Sequence, residues 1–134
     1  MNITVCKEFS FEAAHRLPEH EGHCKNIHGH SYKLLIGVQR AIDPSMIYEN
    51  QEMVVDFGVL KKVVDLHIIS YLDHSLLNDL HGIHNIPFPT HSPTAESIVI
   101  WIVKILQKVF KSYDMDLVFV RLYETEKSYA EWRK

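Results

Sequence analysis

The sequence predicts an α+β fold: an antiparallel β-sheet with two helices packed on one face. Three observations carry this. Two stretches, 3–15 and 28–39, alternate apolar and polar residues with a period of two. After Gly58, and again after Pro93, the apolar spacing changes to the helical period. A β-branched and aromatic run, Leu117-Val118-Phe119-Val120-Arg121-Leu122-Tyr123, then returns to strand character near the end. The chain has 134 residues and no Gly/Ser linker, charge block or internal repeat, so 1–134 reads as a single domain.

In the first stretch, Ile3, Val5, Phe9, Phe11, Ala13 and His15 share one parity, and Thr4, Glu8, Ser10 and Glu12 the other. That is the pattern of a half-buried strand. Residues 16–27 are polar, contain Pro18 and Gly22, and read as a loop. In the second strand His28, His30, Tyr32, Leu34, Ile36 and Val38 lie on one face. Residues 41–52, with Asp43, Pro44 and Asn50, form a connection, and Met53–Phe57 reads as a short third strand. Leu60, Val63, Val64, His67, Ile68 and Tyr71 then follow i, i+3, i+4, i+7 spacing with Lys61, Lys62 and Asp65 facing outward, an amphipathic helix. A loop with Pro87, Pro89 and Pro93 leads to Ser92-Pro93-Thr94, which supplies capping chemistry for a second helix. That helix buries Ile98, Ile102, Ile105, Leu106 and Val109 and exposes Lys104, Gln107 and Lys108. A strand over 116–125 and a shorter one near Tyr129–Trp132 complete a β-β-β-α-α-β order. Hairpin-like links between the strands make the sheet antiparallel.

Composition narrows the function. Fourteen basic against seventeen acidic residues give a net charge of −3, without the basic stripe of a nucleic-acid partner. No apolar run approaches the roughly 20 residues of a membrane span. The N-terminus lacks the basic and apolar regions of a secretion signal, and Cys6 and Cys24 are too few for a disulfide framework. A cytoplasmic protein with reduced thiols is the expectation. The anomaly is histidine: of ten, five (His15, His20, His23, His28, His30) fall within sixteen residues.

His28-Gly29-His30 is the sharpest chemical feature. On a strand, residues i and i+2 point the same way, so both imidazoles leave one face. His15 ends the apolar face of the preceding strand. Three neutral imidazoles with an open fourth position describe a catalytic zinc site, although imidazole also suits copper, iron and nickel. The alternative is a pair of half-buried histidines bonded locally within the sheet. Cys24, four residues before His28, is a nucleophile, a general base, a fourth ligand that closes a structural metal site, or an inert loop thiol. Cys6 reads as a small hydrophobe on its strand. Asp73 followed by His74 either orients an imidazole for proton transfer or places a histidine at the favourable end of a helix dipole. Glu124, at the end of the last strong strand, suits a donor-rich heterocycle edge or is an exposed terminal acid. His20, His23, His81, His84 and His91 fall in loops and read as solvated.

Six segments in this order resemble the 6-pyruvoyl-tetrahydropterin synthase / 6-carboxy-tetrahydropterin synthase family over nearly the whole chain. They are Phe9-Ser10-Phe11-Glu12-Ala13-Ala14-His15, Cys24-Lys25-Asn26-Ile27-His28-Gly29-His30-Ser31-Tyr32, Met53-Val54-Val55-Asp56-Phe57-Gly58, Leu72-Asp73-His74-Ser75-Leu76-Leu77-Asn78, Pro93-Thr94-Ala95-Glu96 and Leu122-Tyr123-Glu124-Thr125. The resemblance implies that His15, His28 and His30 hold a catalytic Zn2+. It makes Cys24 the proton acceptor and Asp73 and His74 a paired relay. Glu124 would anchor the pterin and share in proton transfer, with Thr94 and Glu96 as further substrate-binding residues. The implied fold is the tunnelling fold, in which trimers close a barrel and two trimers stack into a homo-hexamer.

Three residues separate Cys24 from His28, which resembles the bacterial 6-carboxy branch of queuosine and deazapurine biosynthesis. The implied substrate is 7,8-dihydroneopterin triphosphate, and the products are 6-carboxy-5,6,7,8-tetrahydropterin, acetaldehyde and triphosphate. Ser92 departs from the family pattern, in which Asn often precedes Pro-Thr, and the 40–52 connection lacks the usual glycines. The competing expectations are a pyruvoyl-type synthase and a non-catalytic metal-binding protein, its site closed by one cysteine and three histidines.

Overall fold

Two fourteen-residue strands, β1 (Asn2–His15) and β2 (His28–Ala41), form the centre of the sheet. They pair antiparallel in continuous register, from Asn2 opposite Ala41 to His15 opposite His28. The structure, a computed structural model, describes residues 1–48 and 52–134. Asn50, read above as part of the 41–52 connection, lies outside the described residues. The other described strands are β3 (Ser75–Leu76), β4 (Asp116–Thr125) and β5 (Ser128–Arg133), in the spatial order β3-β1-β2-β4-β5. The four long strands are antiparallel, as the hairpin-like links predict. β3 is the exception, since it runs parallel to β1 at Ala13 and Ala14 and makes the sheet mixed.

The third strand is therefore not at Met53–Phe57. Residues 53–56 are irregular, and the Asp56 carboxylate accepts from Gly58 N at 2.6 Å to cap α1 (Phe57–Val64). Val54 and Val55 have strand-like side chains but pack, partly buried, against the core with no strand beside them among the described residues. Burial without a partner strand produces the same apolar run. α1 continues through a π-helical turn at Asp65–Ile69 into α2 (Ser70–Leu72), so 57–72 is one rod. Lys61 and Asp65 pair along its outer side. The second long helix, α3 (Ala95–Phe110), is capped by Thr94, whose hydroxyl accepts from Ser97 N at 3.2 Å. Ser92 contributes only its carbonyl, which accepts from Ser97 Oγ at 2.8 Å.

The helices cover one face of the sheet. Phe9, Phe11, Tyr32, Leu34, Ile36, Leu117, Val120 and Leu122 meet Leu60, Val64, Ile68, Ile98, Ile102 and Leu106 in one continuous core. All five residues predicted to be buried on the second helix are buried, and Val99, Trp101, Val103 and Phe110 join them. His67 and Tyr71, predicted with the core stripe of the first helix, are only half-buried. Cys6, on the opposite parity to the core residues, is exposed on the helix-free face rather than acting as a core hydrophobe.

Candidate metal centre and active site

The period of two that buries Phe9, Phe11 and Ala13 also carries His15 to the helix-facing side, where it is 1% exposed. The β1–β2 register sets His28 directly opposite His15 and His30 opposite Ala13, so the two-residue spacing brings all three rings together at one end of the sheet. One ligand nitrogen from each lies within 4.8 Å of the others. The ring centroids are 4.7 to 5.1 Å apart, edge to face.

Carbonyl groups decide which nitrogen is free. A carbonyl oxygen can only accept, so His15 Nδ1–H donates to Pro93 O at 2.8 Å and His28 Nδ1–H donates to Asn26 O at 2.7 Å. Both rings then keep the Nε2 lone pair available. The Nε2 atoms of His15 and His30 are buried with no hydrogen-bond partner among the described residues. A buried acceptor left this way costs about 1–3 kcal/mol, and a metal ion satisfies it. Burial is the main reason that the His30 imidazole titrates below its usual range, with His15 and His28 acting in the same direction and Glu124 opposing them. A neutral ring is the ligating form. The donor set therefore fits a zinc-type ion held by three imidazoles with a further position open.

Glu124 shares the helix-facing side. Its carboxylate oxygens lie 3.9 Å from His15 Nε2 and 3.8 Å from His30 Nε2, beside the triad but beyond hydrogen-bonding distance. Tyr32, two residues beyond His30 and 1% exposed, stacks on Phe11 with ring centroids 4.8 Å apart. Burial first, and the Glu124 charge second, push its hydroxyl well above the ordinary phenol range. That hydroxyl also has no partner among the described residues. Sequence reading does not single out Tyr32 as a site residue, although it continues the parity of His28 and His30. Nor does it identify the carbonyls of Asn26 and Pro93, which belong to the backbone and leave no residue-type signal.

Asp73 and His74 sit where α2 gives way to β3. Asp73 Oδ1 accepts from Glu12 N at 2.9 Å, and His74 N donates to Glu12 O at 2.6 Å, which clamps both residues to β1. His74 takes up a left-handed backbone, φ 57°, to do so. Its Nδ1 is 2.9 Å from Asp73 Oδ2, leaving Nε2 free on a side chain that is 80% exposed. The Glu12 amide, with His74 second, holds the Asp73 carboxyl below its ordinary range. His74 lines an open cavity of about 510 Å3 with Glu12, Gly29, Ser31 and Ser75. His30 borders it, but Glu12, Gly29 and Ser31 have the strand parity opposite to the triad, and the His30 Nε2 is buried away from it.

Cys24 lies in the 3-10 turn His23–Lys25, a half-buried free thiol whose carbonyl accepts from Leu17 N at 2.7 Å. Among the described residues its sulfur does not join the cluster of metal-ligating atoms, which comprises the three histidines alone. Thr94 follows the carbonyl that fixes His15, but its hydroxyl is occupied in capping α3. Glu96 is exposed in the first turn of that helix. The geometry thus groups His15, His28, His30 and Glu124, sets His74 along a cavity lined by the opposite parity of β1 and β2, and gives no direct contact from Cys24, Thr94 or Glu96 to the triad.

Comparison with known proteins identifies the family. The family described as 6-pyruvoyl tetrahydropterin synthase matches residues 4–134. A 6-carboxy-5,6,7,8-tetrahydropterin synthase from Synechocystis sp. is 44% identical, with 73% of this chain and 70% of that protein aligned. The Haemophilus influenzae protein of the same name is 32% identical, with 97% and 98% aligned. A 6-pyruvoyl tetrahydropterin synthase structure from Caenorhabditis elegans superposes with a TM-score of 0.80 at 27% identity, covering 100% of this chain and 96% of that one. With the family match spanning nearly every residue and the histidine cluster formed by its strands, the chain belongs to the 6-pyruvoyl tetrahydropterin synthase family.

Proposed function

We propose that this tetrahydropterin synthase acts on 7,8-dihydroneopterin triphosphate and one water, yielding 6-carboxy-5,6,7,8-tetrahydropterin, acetaldehyde and triphosphate, with zinc held by His15, His28 and His30. The observation that carries the reading is the triad itself: three converging imidazoles, two of them with buried, unpartnered Nε2 atoms among the described residues. The carboxy branch is supported by the two bacterial relatives of that name and by the three residues between Cys24 and His28. A human relative named 6-pyruvoyl tetrahydrobiopterin synthase, 30% identical over 96% of this chain, makes the pyruvoyl reaction the second reading.

When bound, the zinc ion supplies Lewis acidity that polarises oxygen functions on the substrate side chain. The protein's own residues perform the proton transfers. His74, with Nδ1 tied to Asp73, offers its exposed Nε2 as a proton acceptor to the substrate. Cys24 is the second proton acceptor. Two bases permit a redox rearrangement inside the substrate without an external hydride carrier. Glu124 receives paired N–H donors of the pterin on the side of the triad where its carboxylate lies, and takes part in the proton relay. Thr94 and Glu96 border the pterin through the start of α3.

The site is completed by assembly. β5 forms one edge of the sheet, and β1 from Asn2 to Glu12 has no described strand on its outer side. Unpaired edges favour joining copies through strand addition, as a barrel of three copies does, and two such rings form the hexamer. Within the described residues no helix is long and apolar enough to cross a membrane. The two free thiols suit the reducing cytoplasm.

Mass spectrometry of products from zinc-loaded and metal-stripped protein tests the reading. Zinc-dependent carboxytetrahydropterin with acetaldehyde is expected. A pyruvoyl product replaces the branch, and no turnover by zinc-replete protein overturns the proposal.

A further inference from the structure

A second pair of histidines lies on elements that contribute nothing to the triad. His67 is on the π-helical turn Asp65–Ile69, and His84 is in the loop before the proline-rich segment. Their rings lie 5.0 Å apart, tilted by 44°, and His67 Nδ1 is 3.0 Å from His84 Nε2. They are 17 positions apart in the sequence, so folding rather than local chain geometry brings the two nitrogens face to face.

We propose that His67 Nδ1 and His84 Nε2 together bind a divalent transition-metal ion, at a site separate from the His15, His28 and His30 centre. Two imidazole nitrogens on one zinc-type ion, each at about 2.0–2.1 Å, are separated by roughly 2.9–3.4 Å for bond angles between a right angle and the tetrahedral value. The observed 3.0 Å lies within that interval, so the rings need only exchange their shared proton for the ion. His84 is exposed and His67 half-buried, which leaves the outer coordination positions to water and gives the ion a direct approach. Imidazole pairs accept zinc, nickel and copper, with copper(II) favoured in the general affinity order.

The loop is held by more than the ring contact. His84 and Asn85 adopt consecutive left-handed conformations, φ 53° and 63°, which side-chain-bearing residues seldom occupy without support. That support comes from Lys108 Nζ, which donates to His84 O at 2.8 Å, and from Ile86 N, which donates to Ile83 O at 2.8 Å. A Cβ on Gly82 would stand 2.4 Å from Ile86 O, so the turn closes too tightly for any other residue there. The backbone thus presents His84 to the helical rod in advance, and binding costs little reordering. Bound metal would fasten the loop to the π turn. The site depends neither on the proposed reaction nor on its metal.

Calorimetric zinc titration of the full, untagged and metal-stripped chain tests this, repeated with copper(II) followed by electron paramagnetic resonance. Wild type is expected to take up two equivalents. His67→Ala and His84→Asn should each lose one of them, whereas His28→Ala should lose the other and keep this one. Asn tolerates a left-handed backbone, so His84→Asn preserves the turn, and circular dichroism verifies both variants. In His28→Ala, copper should show coupling to two nitrogens. One equivalent in wild type that both His67→Ala and His84→Asn retain overturns the proposal, as does a second equivalent that both retain.

Discussion

Each histidine of the triad has a distinct physical preparation, and in the proposed reaction the triad holds the metal while other residues move protons. His15 and His28 have their tautomers set by carbonyls, while His30 is kept neutral chiefly by burial. Cys24 lies outside the ligating cluster. Cys24→Ala should therefore abolish turnover while metal analysis still finds one ion at the triad, and His28→Ala should lose both. Zinc lost from Cys24→Ala would instead favour the closed four-ligand site. Asp73 gives a prediction in pH. Its folded carboxyl titrates below the ordinary 3.8, so its stabilising contribution is complete above that value and disappears as pH falls through the lowered one. The difference in Tm between wild type and Asp73→Asn should be constant from neutral pH to about 4 and close below it. The spacing of His28 and His30 and the parity of His15 are legible because strand geometry turns sequence spacing into direction. The Asn26 and Pro93 carbonyls are not, since every residue has one and only the folded chain selects them.

Among the elements, the long strands and both helices follow from periodicity, and the errors concern short segments. The Val54-Val55 pair has strand chemistry but no partner strand, whereas β3 is a two-residue parallel pairing too short to leave a periodic signal. The π turn at Asp65–Ile69 is equally silent, because the stripe from Leu60 to Tyr71 fits an ordinary helix. His67 and His84 escape sequence reading for a related reason: the first fits the core stripe and the second a solvated loop, and only tertiary contact joins them. Element packing also explains one glycine. Gly37 faces Phe119 across the β2–β4 register, next to a bulge, and a Cβ there would come within 2.8 Å of the Phe119 ring. Gly37→Ala should cost on the order of 1–3 kcal/mol in denaturant unfolding, because the ring must leave its place on the sheet.

At the scale of the whole molecule, the sheet leaves β5 and most of β1 without outer neighbours among the described residues, while the helices cover one face only. Sedimentation of the intact chain should give a trimer or hexamer, and a stable monomer at micromolar concentration would contradict ring closure. The oligomer is not legible from local patterning, since an edge strand and an interior strand share the same alternation; it rests on the resemblance and on the open edges. The bond from His15 to Pro93 has a kinetic meaning. It joins residues 78 positions apart, from the first strand to the turn that starts α3, so the β1–β2 hairpin can gather the three rings but His15 is fixed in its ligating tautomer only after α3 has docked. A metal ion recognising that arrangement rewards the finished fold and gives a nascent chain little help. Zinc at a hundredfold excess over its Kd should add about 2.7 kcal/mol of stability by mass action. In stopped-flow experiments that gain should appear as slower unfolding, with the refolding rate almost unchanged.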